Sequence, residues 1–321
     1  DRSLVGSEMC IRDRIKMAND DFKGCWPVAP TPFKPSGEID KEGMKRVIDC
    51  MVDQQVDGIC ILANYSEQFL LSDEEREILT RLCIEHIDGR VPVITTVSHF
   101  STDIAFSRAK LVKELGGEML MMMPPYHGAL MKGSPQQTFE QFAKVGEVGV
   151  TIMVQDAPLS GIDLPVPLLI KMAKEIEMVK CFKIECAQAA AKLRVLVNEG
   201  GDFIEGPFDG EEGITLFADL EAGATGNMSS AMIPDLIRPI VLDYLGGNAQ
   251  KSENQYNHIL PLINYENRQC GFRATKVVMK EGGVINSDFC RHPIPDLEEN
   301  TKKGLINLVK NYNPIALQWG K

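Results

Sequence analysis

The chain has 321 residues, with 34 lysines and arginines against 45 aspartates and glutamates, and a formal net charge of −11. It is 44% hydrophobic and 25% charged, a globular composition long enough for one large α/β barrel with an extension or for two smaller domains. The acidic balance argues against a nucleic-acid partner, and no apolar run reaches the roughly 18 residues that read as a membrane span. Nine cysteines, scattered and without a C-x-x-C pair, suggest neither a disulfide framework nor a zinc ribbon, so a reducing cytoplasm is the expected compartment.

Asp1–Lys16 carries mixed charge and lacks both the apolar core of a secretory signal and any helical or strand period. It reads as a non-native or disordered extension ahead of a start at Met17. From there, eight short apolar runs rich in Val, Ile and Met recur: Trp26–Pro30, Gly58–Leu62, Val91–Val97, Met119–Met123, Thr151–Val154, Val179–Lys183, Asp202–Glu205 and Gly223–Met228. Their starts lie 21 to 33 residues apart, and runs of this kind suit parallel strands buried on both faces. The intervening stretches read as helices. Asp40–Val52 places Met44, Val47, Ile48 and Met51 on one face, and Ser72-Asp-Glu-Glu opens the next helix with a capping box. Eight strand–helix units without reversal predict a (β/α)8 TIM barrel over residues 17–245, completed by a helix at Pro234–Leu245. Residues 246–321 then predict a helical extension packed on the barrel, with helices near Gln250–Asn264, Thr275–Glu281 and Leu297–Lys310.

In such a barrel the active site lies at the carboxyl ends of the strands. The polar residues there are Asn64-Tyr65-Ser66-Glu67, Ser98-His99, Tyr126-His127, Gln155-Asp156, Lys183 with Glu185, and Glu205-Gly206-Pro207-Phe208-Asp209. Lys183 carries the sharpest signal. Strand alternation puts Val179, Cys181, Lys183 and Glu185 on one face, and a lysine among barrel-filling residues loses hydration, which lowers its pKa and frees a nucleophilic amine. The plain alternative is a lysine snorkelling to solvent at a strand end. Glu185 projects to the same side and can move a proton at the carbon beside an imine, or simply pair with Lys183. The five histidines show no H-x-x-H spacing, and no glycine-rich dinucleotide or phosphate loop is present. The Met119–Met123 run reads as core packing, and Gly206–Gly210 reads first as a turn.

At these residues the sequence resembles the dihydrodipicolinate synthase / N-acetylneuraminate lyase family of class I aldolase-like barrels. Val28-Ala-Pro-Thr-Pro-Phe33 is similar to that family's first strand, and Asn64-Tyr-Ser-Glu67 stands at its carboxylate-binding loop. Pro125-Tyr-His127, Gln155-Asp-Ala-Pro158, Phe182-Lys-Ile-Glu185 and Gly223-Ala-Thr-Gly226 fall at four further family segments. The resemblance implies an imine at Lys183 and no cofactor or metal. It also implies a small-molecule 2-keto acid as partner, and a homo-oligomer, namely a tetramer. Asn64, Tyr65 and Ser66 would hold the substrate carboxylate; Tyr126, His127, Gln155, Gly206 and Pro207 would contact the rest of the substrate.

The departures sharpen this. Gln155 stands where the family has a tyrosine phenol, and an amide has no proton to exchange near neutral pH. Glu185 is then the best acid/base on offer. This set, with Asn264-Tyr-Glu-Asn-Arg-Gln-Cys-Gly271, resembles the family's dehydratase branch and implies a lyase acting on a 2-keto-3-deoxy sugar acid in pentose catabolism. The rival readings are a retro-aldolase or synthase that releases or uses pyruvate, and a barrel that binds keto acids without catalysis.

Overall fold

The computed structural model describes residues 22–128, 131–157 and 160–321; the expected extension at Asp1–Lys16 lies outside them. Eight strands form, six of them on the expected apolar runs: β1 Gly24–Cys25, just ahead of the Trp26–Pro30 run, β2 Ile59–Ile61, β3 Val93–Thr96, β4 Met119–Met122, β5 Thr151–Asp156, β6 Val179–Ile184, β7 Gly206–Asp209, just after the Asp202–Glu205 run, and β8 Gly226–Asn227. All pair in parallel, in the spatial order β2-β3-β4-β5-β6-β7-β8-β1. Val28, just past β1, bridges both Cys60 and Ser230 and closes the ring. Eight helices follow the strands as expected for a TIM barrel: α1 Lys41–Asp53, α2 Asp73–Ile87, α3 Thr102–Glu114, α4 Pro135–Gly146, α5 Val166–Glu175, α6 Ala189–Gly200, α7 Leu216–Glu221 and α8 Pro234–Leu245.

Local chemistry explains the helix starts. Asp40 accepts from the Gly43 amide at 2.9 Å, and Ser72 and Glu75 form a reciprocal capping box at the head of α2. Met44, Val47, Ile48 and Met51 are all buried under α1. Two apolar layers result. Trp26, Cys60, Ile94, Met119, Met121, Met153, Cys181, Phe208 and Met228 fill the barrel, while Leu120, Met122, Phe182 and Ile184 pack outward against the helices.

Two register details differ from the simple alternation. A bulge shifts the pairing between Ile152↔Val179 and Met153↔Cys181, so Val179 belongs to the outer layer while Cys181 and Lys183 stay inside. The seventh strand begins at Gly206, not at Asp202. Gly201, at φ +53°, ends α6 and leads into a single 3-10 turn, Gly201–Phe203, so of the expected Glu205–Asp209 stretch only Asp209 reaches the carboxyl end of β7.

After α8 the chain forms α9 Ala249–Tyr265, a π-helical turn Glu266–Cys270, α10 Arg273–Glu281 and α11 Glu299–Val309. No helix among the described residues is long and apolar enough to cross a membrane.

Candidate active site

Lys183 and Gln155 are register partners on β6 and β5, each pointing into the barrel at its carboxyl end. Glu185 follows β6 directly, its backbone amide bound to the Asp156 carbonyl at 3.0 Å. Its carboxylate is held at three points. Lys183 Nζ lies 2.8 Å from Oε2, Gln155 Nε2 donates to Oε1 at 2.6 Å, and the Glu211 amide donates to Oε2 at 3.4 Å. Gly210 makes this closeness possible. A Cβ there would stand 2.6 Å from Glu185 Cβ and 3.0 Å from Lys183 Cε, closer than side chains tolerate.

Lys183 is 5% exposed. Burial alone pulls its pKa down, as expected, but the adjacent Glu185 charge and hydrogen bond, helped by Glu212, outweigh it and leave the pKa above that of an ordinary lysine. The resting group is therefore an ammonium paired with Glu185, not a free amine. A nucleophile appears once the proton passes along the 2.8 Å contact to the carboxylate.

These groups border a cavity of about 290 Å³, shared with Val28, Ala63, Asn64, Tyr65, Ala157, Glu211, Glu212 and Asn267. Asn64 and Tyr65 come from a 3-10 turn, Asn64–Ser66, that follows β2. Asn64 accepts from Gln68 Nε2 at 2.6 Å. The structure thus brings Lys183, Glu185, Gln155, Asn64 and Tyr65 together.

It does not bring in the other five expected residues. Ser66 is buried, donating to the Ala29 carbonyl at 2.6 Å and accepting from the Ala63 amide at 3.1 Å, so its hydroxyl builds the loop and does not line the cavity. Tyr126 and the exposed His127 form a short strand paired antiparallel with Met131–Lys132. They line a neighbouring recess of about 500 Å³ with Gln68, His99, Phe100 and Arg108. Gly206 lies deeper in the barrel against Cys181 and Phe22, and Pro207 pairs with Phe182 on the helix-facing side, because β7 starts one turn later than the sequence suggested. Pro158 falls outside the described residues.

Two site residues escape sequence reasoning. Glu212 is 7% exposed and is pushed up to about 7 by burial, against the pull of the Lys183 charge and a Tyr65 hydrogen bond. Asn267, from the π-helical turn, donates to Glu212 Oε2 at 2.9 Å. The adjacent Glu266 carboxyl, wholly buried, is pushed up to about 8 by desolvation and by Glu212. The available signal was the Asn264–Gly271 segment, 55 residues beyond Glu212 at its Asn267 contact. Among the described residues no group of three or more His, Cys, Asp or Glu side chains is arranged to hold a metal ion.

A buried lysine beside a carboxylate, with an amide opposite, can form an imine with a ketone and shuttle protons at the neighbouring carbons. The comparisons with known proteins agree with that chemistry. The chain is 50% identical over 298 residues to the L-2-keto-3-deoxyarabonate dehydratase of Azospirillum brasilense, covering 92% of this chain and 96% of that one. It is 24% identical over 307 residues to the 4-hydroxy-tetrahydrodipicolinate synthase of Protochlamydia amoebophila, covering 93% and 98%. The fold superposes on dihydrodipicolinate synthase from Aquifex aeolicus with a TM-score of 0.85 at 22% identity, over 91% of this chain and 99% of that one. The model of the dihydrodipicolinate synthetase family matches residues 21–312, and the chain belongs to that family.

Proposed function

We propose that this chain is a hydro-lyase that converts 2-keto-3-deoxy-L-arabonate to 2-oxoglutarate semialdehyde and water through an imine at Lys183, in cytoplasmic pentose catabolism. The observation that carries the reading is the Lys183–Glu185 contact of 2.8 Å with an amide, Gln155, closing the other side of the carboxylate. A retro-aldolase must strip the proton from the C4 hydroxyl, a step that suits a phenol and that an amide cannot perform.

The proposed steps are these. Lys183 gives its proton to Glu185 and attacks the C2 ketone; loss of water leaves a protonated imine that acidifies C3. Glu185 takes a C3 proton, forming an enamine, and a proton returned to the C4 hydroxyl lets it leave as water. Loss of a proton from C5 gives a dienamine bearing a C5 hydroxyl. Protonation at C3 and C4 with loss of the O5 proton yields the aldehyde, and hydrolysis frees Lys183. Asn64 and Tyr65 hold the substrate in the 290 Å³ cavity, which suits a five-carbon acid. By resemblance the working unit is a homotetramer.

The test is to incubate the protein with 2-keto-3-deoxy-L-arabonate, identify the product, and trap the adduct with borohydride for peptide mass analysis. Semialdehyde with a reduced adduct on Lys183 is expected. Glu185→Gln should still trap the adduct but lose about 10²–10⁴-fold in turnover. Pyruvate as product would overturn the reading in favour of an aldolase, and the absence of any adduct would leave a binding protein.

A further inference from the structure

The proposed reaction moves three protons off the substrate, from C3, C5 and O5, and three onto it, at the departing O4, C3 and C4. Glu185, 2.8 Å from Lys183 Nζ, is assigned the proton transfers at C3 and at the departing O4. It is also tethered: Lys183, Gln155 and the Glu211 amide all hold it at the imine end of the cavity. C5 lies two bonds farther along the substrate.

A second carboxyl group lines the same cavity. Glu212 stands in the loop after β7, and both Glu211 (φ +48°) and Glu212 (φ +60°) adopt left-handed backbone that side chains rarely take. Two consecutive residues of that kind are costly and persist only where surrounding structure holds them. Here the tail does the holding. Asn267 donates through Nδ2 to Glu212 Oε2 at 2.9 Å and reaches toward the Glu211 carbonyl at 3.5 Å. Asn267 belongs to a π-helical turn, a local widening of the helix that often marks a functional position. Tyr65 lines the same cavity and packs edge-on against Phe272 at 6.0 Å.

We propose that Glu212 is a second acid/base of this reaction, removing the C5 proton and returning it at C4, with Asn267 and Tyr65 as its positioning residues. The proposal rests on the dehydratase reading above. The balance needs no further reactant: Glu212 enters this half of the reaction as a carboxylate, takes the C5 proton as the dienamine forms, and gives it to C4 as the enol collapses to the aldehyde. Burial and the neighbouring Glu185 charge favour uptake of that proton, and the Lys183 charge favours its release.

The experiment uses the full chain with substrate deuterated at C5, in light water, and unlabelled substrate in heavy water. Glu212→Gln is expected to keep the borohydride adduct on Lys183 and to keep solvent exchange at C3, while kcat falls about 10²–10³-fold. It should also lose most of the transfer of deuterium from C5 to C4 of the product that wild type shows. Glu212→Asp should recover part of kcat, and Asn267→Ala should lower kcat more than it raises KM and shift the acidic limb of the kcat profile. Full turnover in Glu212→Gln, a change confined to KM, or loss of C3 exchange along with turnover would overturn the role while leaving the dehydratase reading intact. A wild type that forms no adduct would overturn both.

Discussion

Two lysine–glutamate pairs are buried among the described residues, and they have opposite characters. Lys276, on α10, is paired with Glu67 of the loop after β2, and both side chains are essentially inaccessible. The Lys276 ammonium also donates to the Phe289 carbonyl at 3.0 Å and lies 4.5 Å above the Phe33 ring. Glu67 in turn accepts from the Arg291 amide at 2.9 Å. Every group there has several partners and none faces a cavity. Lys183 and Glu185, by contrast, border open space, and Gln155 Oε1 beside them is buried without a protein partner. A pair saturated with partners is a fastener; a pair with capacity left over is available to a substrate. The fastener nonetheless serves the site. It holds Glu67 at φ +59°, and Arg291 binds the Leu70 carbonyl at 2.8 Å, so the tail clamps the loop that carries Asn64 and Tyr65.

The contrast is broken most directly by removing each lysine. Lys276→Met should cost about 3–5 kcal/mol of stability in urea unfolding, because it strands the Glu67 charge in the interior. Lys183→Met should cost less, since Glu185 keeps Gln155 and borders the cavity, yet turnover should vanish. Equal losses of stability from the two variants would dissolve the distinction. A smaller effect is expected from Gly210→Ala. The added methyl must displace Glu185 or Lys183, and kcat/KM should fall about 10²-fold with little change in unfolding midpoint. Unchanged kinetics would show that the close approach is not needed.

A further effect, which depends on pH, reads the charge of the tail. Glu266 has its pKa raised to about 8, so between about 4.5 and 8 the folded chain keeps a proton that the unfolded chain releases. Stability contributed by this group is therefore present at low pH and lost as pH rises through that window, by up to about 1.4 kcal/mol per pH unit. Glu266→Gln, which imitates the protonated form, should be near neutral at pH 5 and stabilising at pH 8.5. A gain that is the same at both values would refute the assignment.

How far these features were legible in the sequence depended on where their partners lay. Lys183 and Glu185 were readable from alternation along β6, although a bulge sends Val179 to the outer layer, and Gln155 was readable from its place at the carboxyl end of β5. Gly206 and Pro207 were misplaced by one turn, since Gly200-Gly201 ends α6 with a 3-10 turn whose Phe203-Ile-Glu continuation looks like a strand. Ser66 kept its position but spent its hydroxyl on backbone groups, which side-chain type cannot reveal. Glu212 and Asn267 were hidden for a different reason. One depends on left-handed backbone in a loop, and the other on a π-turn in a segment that only the closed fold brings to the barrel mouth.

The barrel interior carries a last consequence. Cys60, Cys181, Met119, Met121 and Met153 form a sulfur-rich layer beneath Lys183. An aldehyde product would ordinarily be a hazard to a protein with so many thiols, because thiolates add readily to such carbonyls. Here desolvation pushes Cys60 up to about 12 and holds Cys181 well above an ordinary thiol, so both stay protonated. The same dry surroundings that press Lys183 against Glu185 silence its nearest competitors for a carbonyl carbon, and the enzyme's chemical selectivity begins with which of its own nucleophiles it keeps asleep.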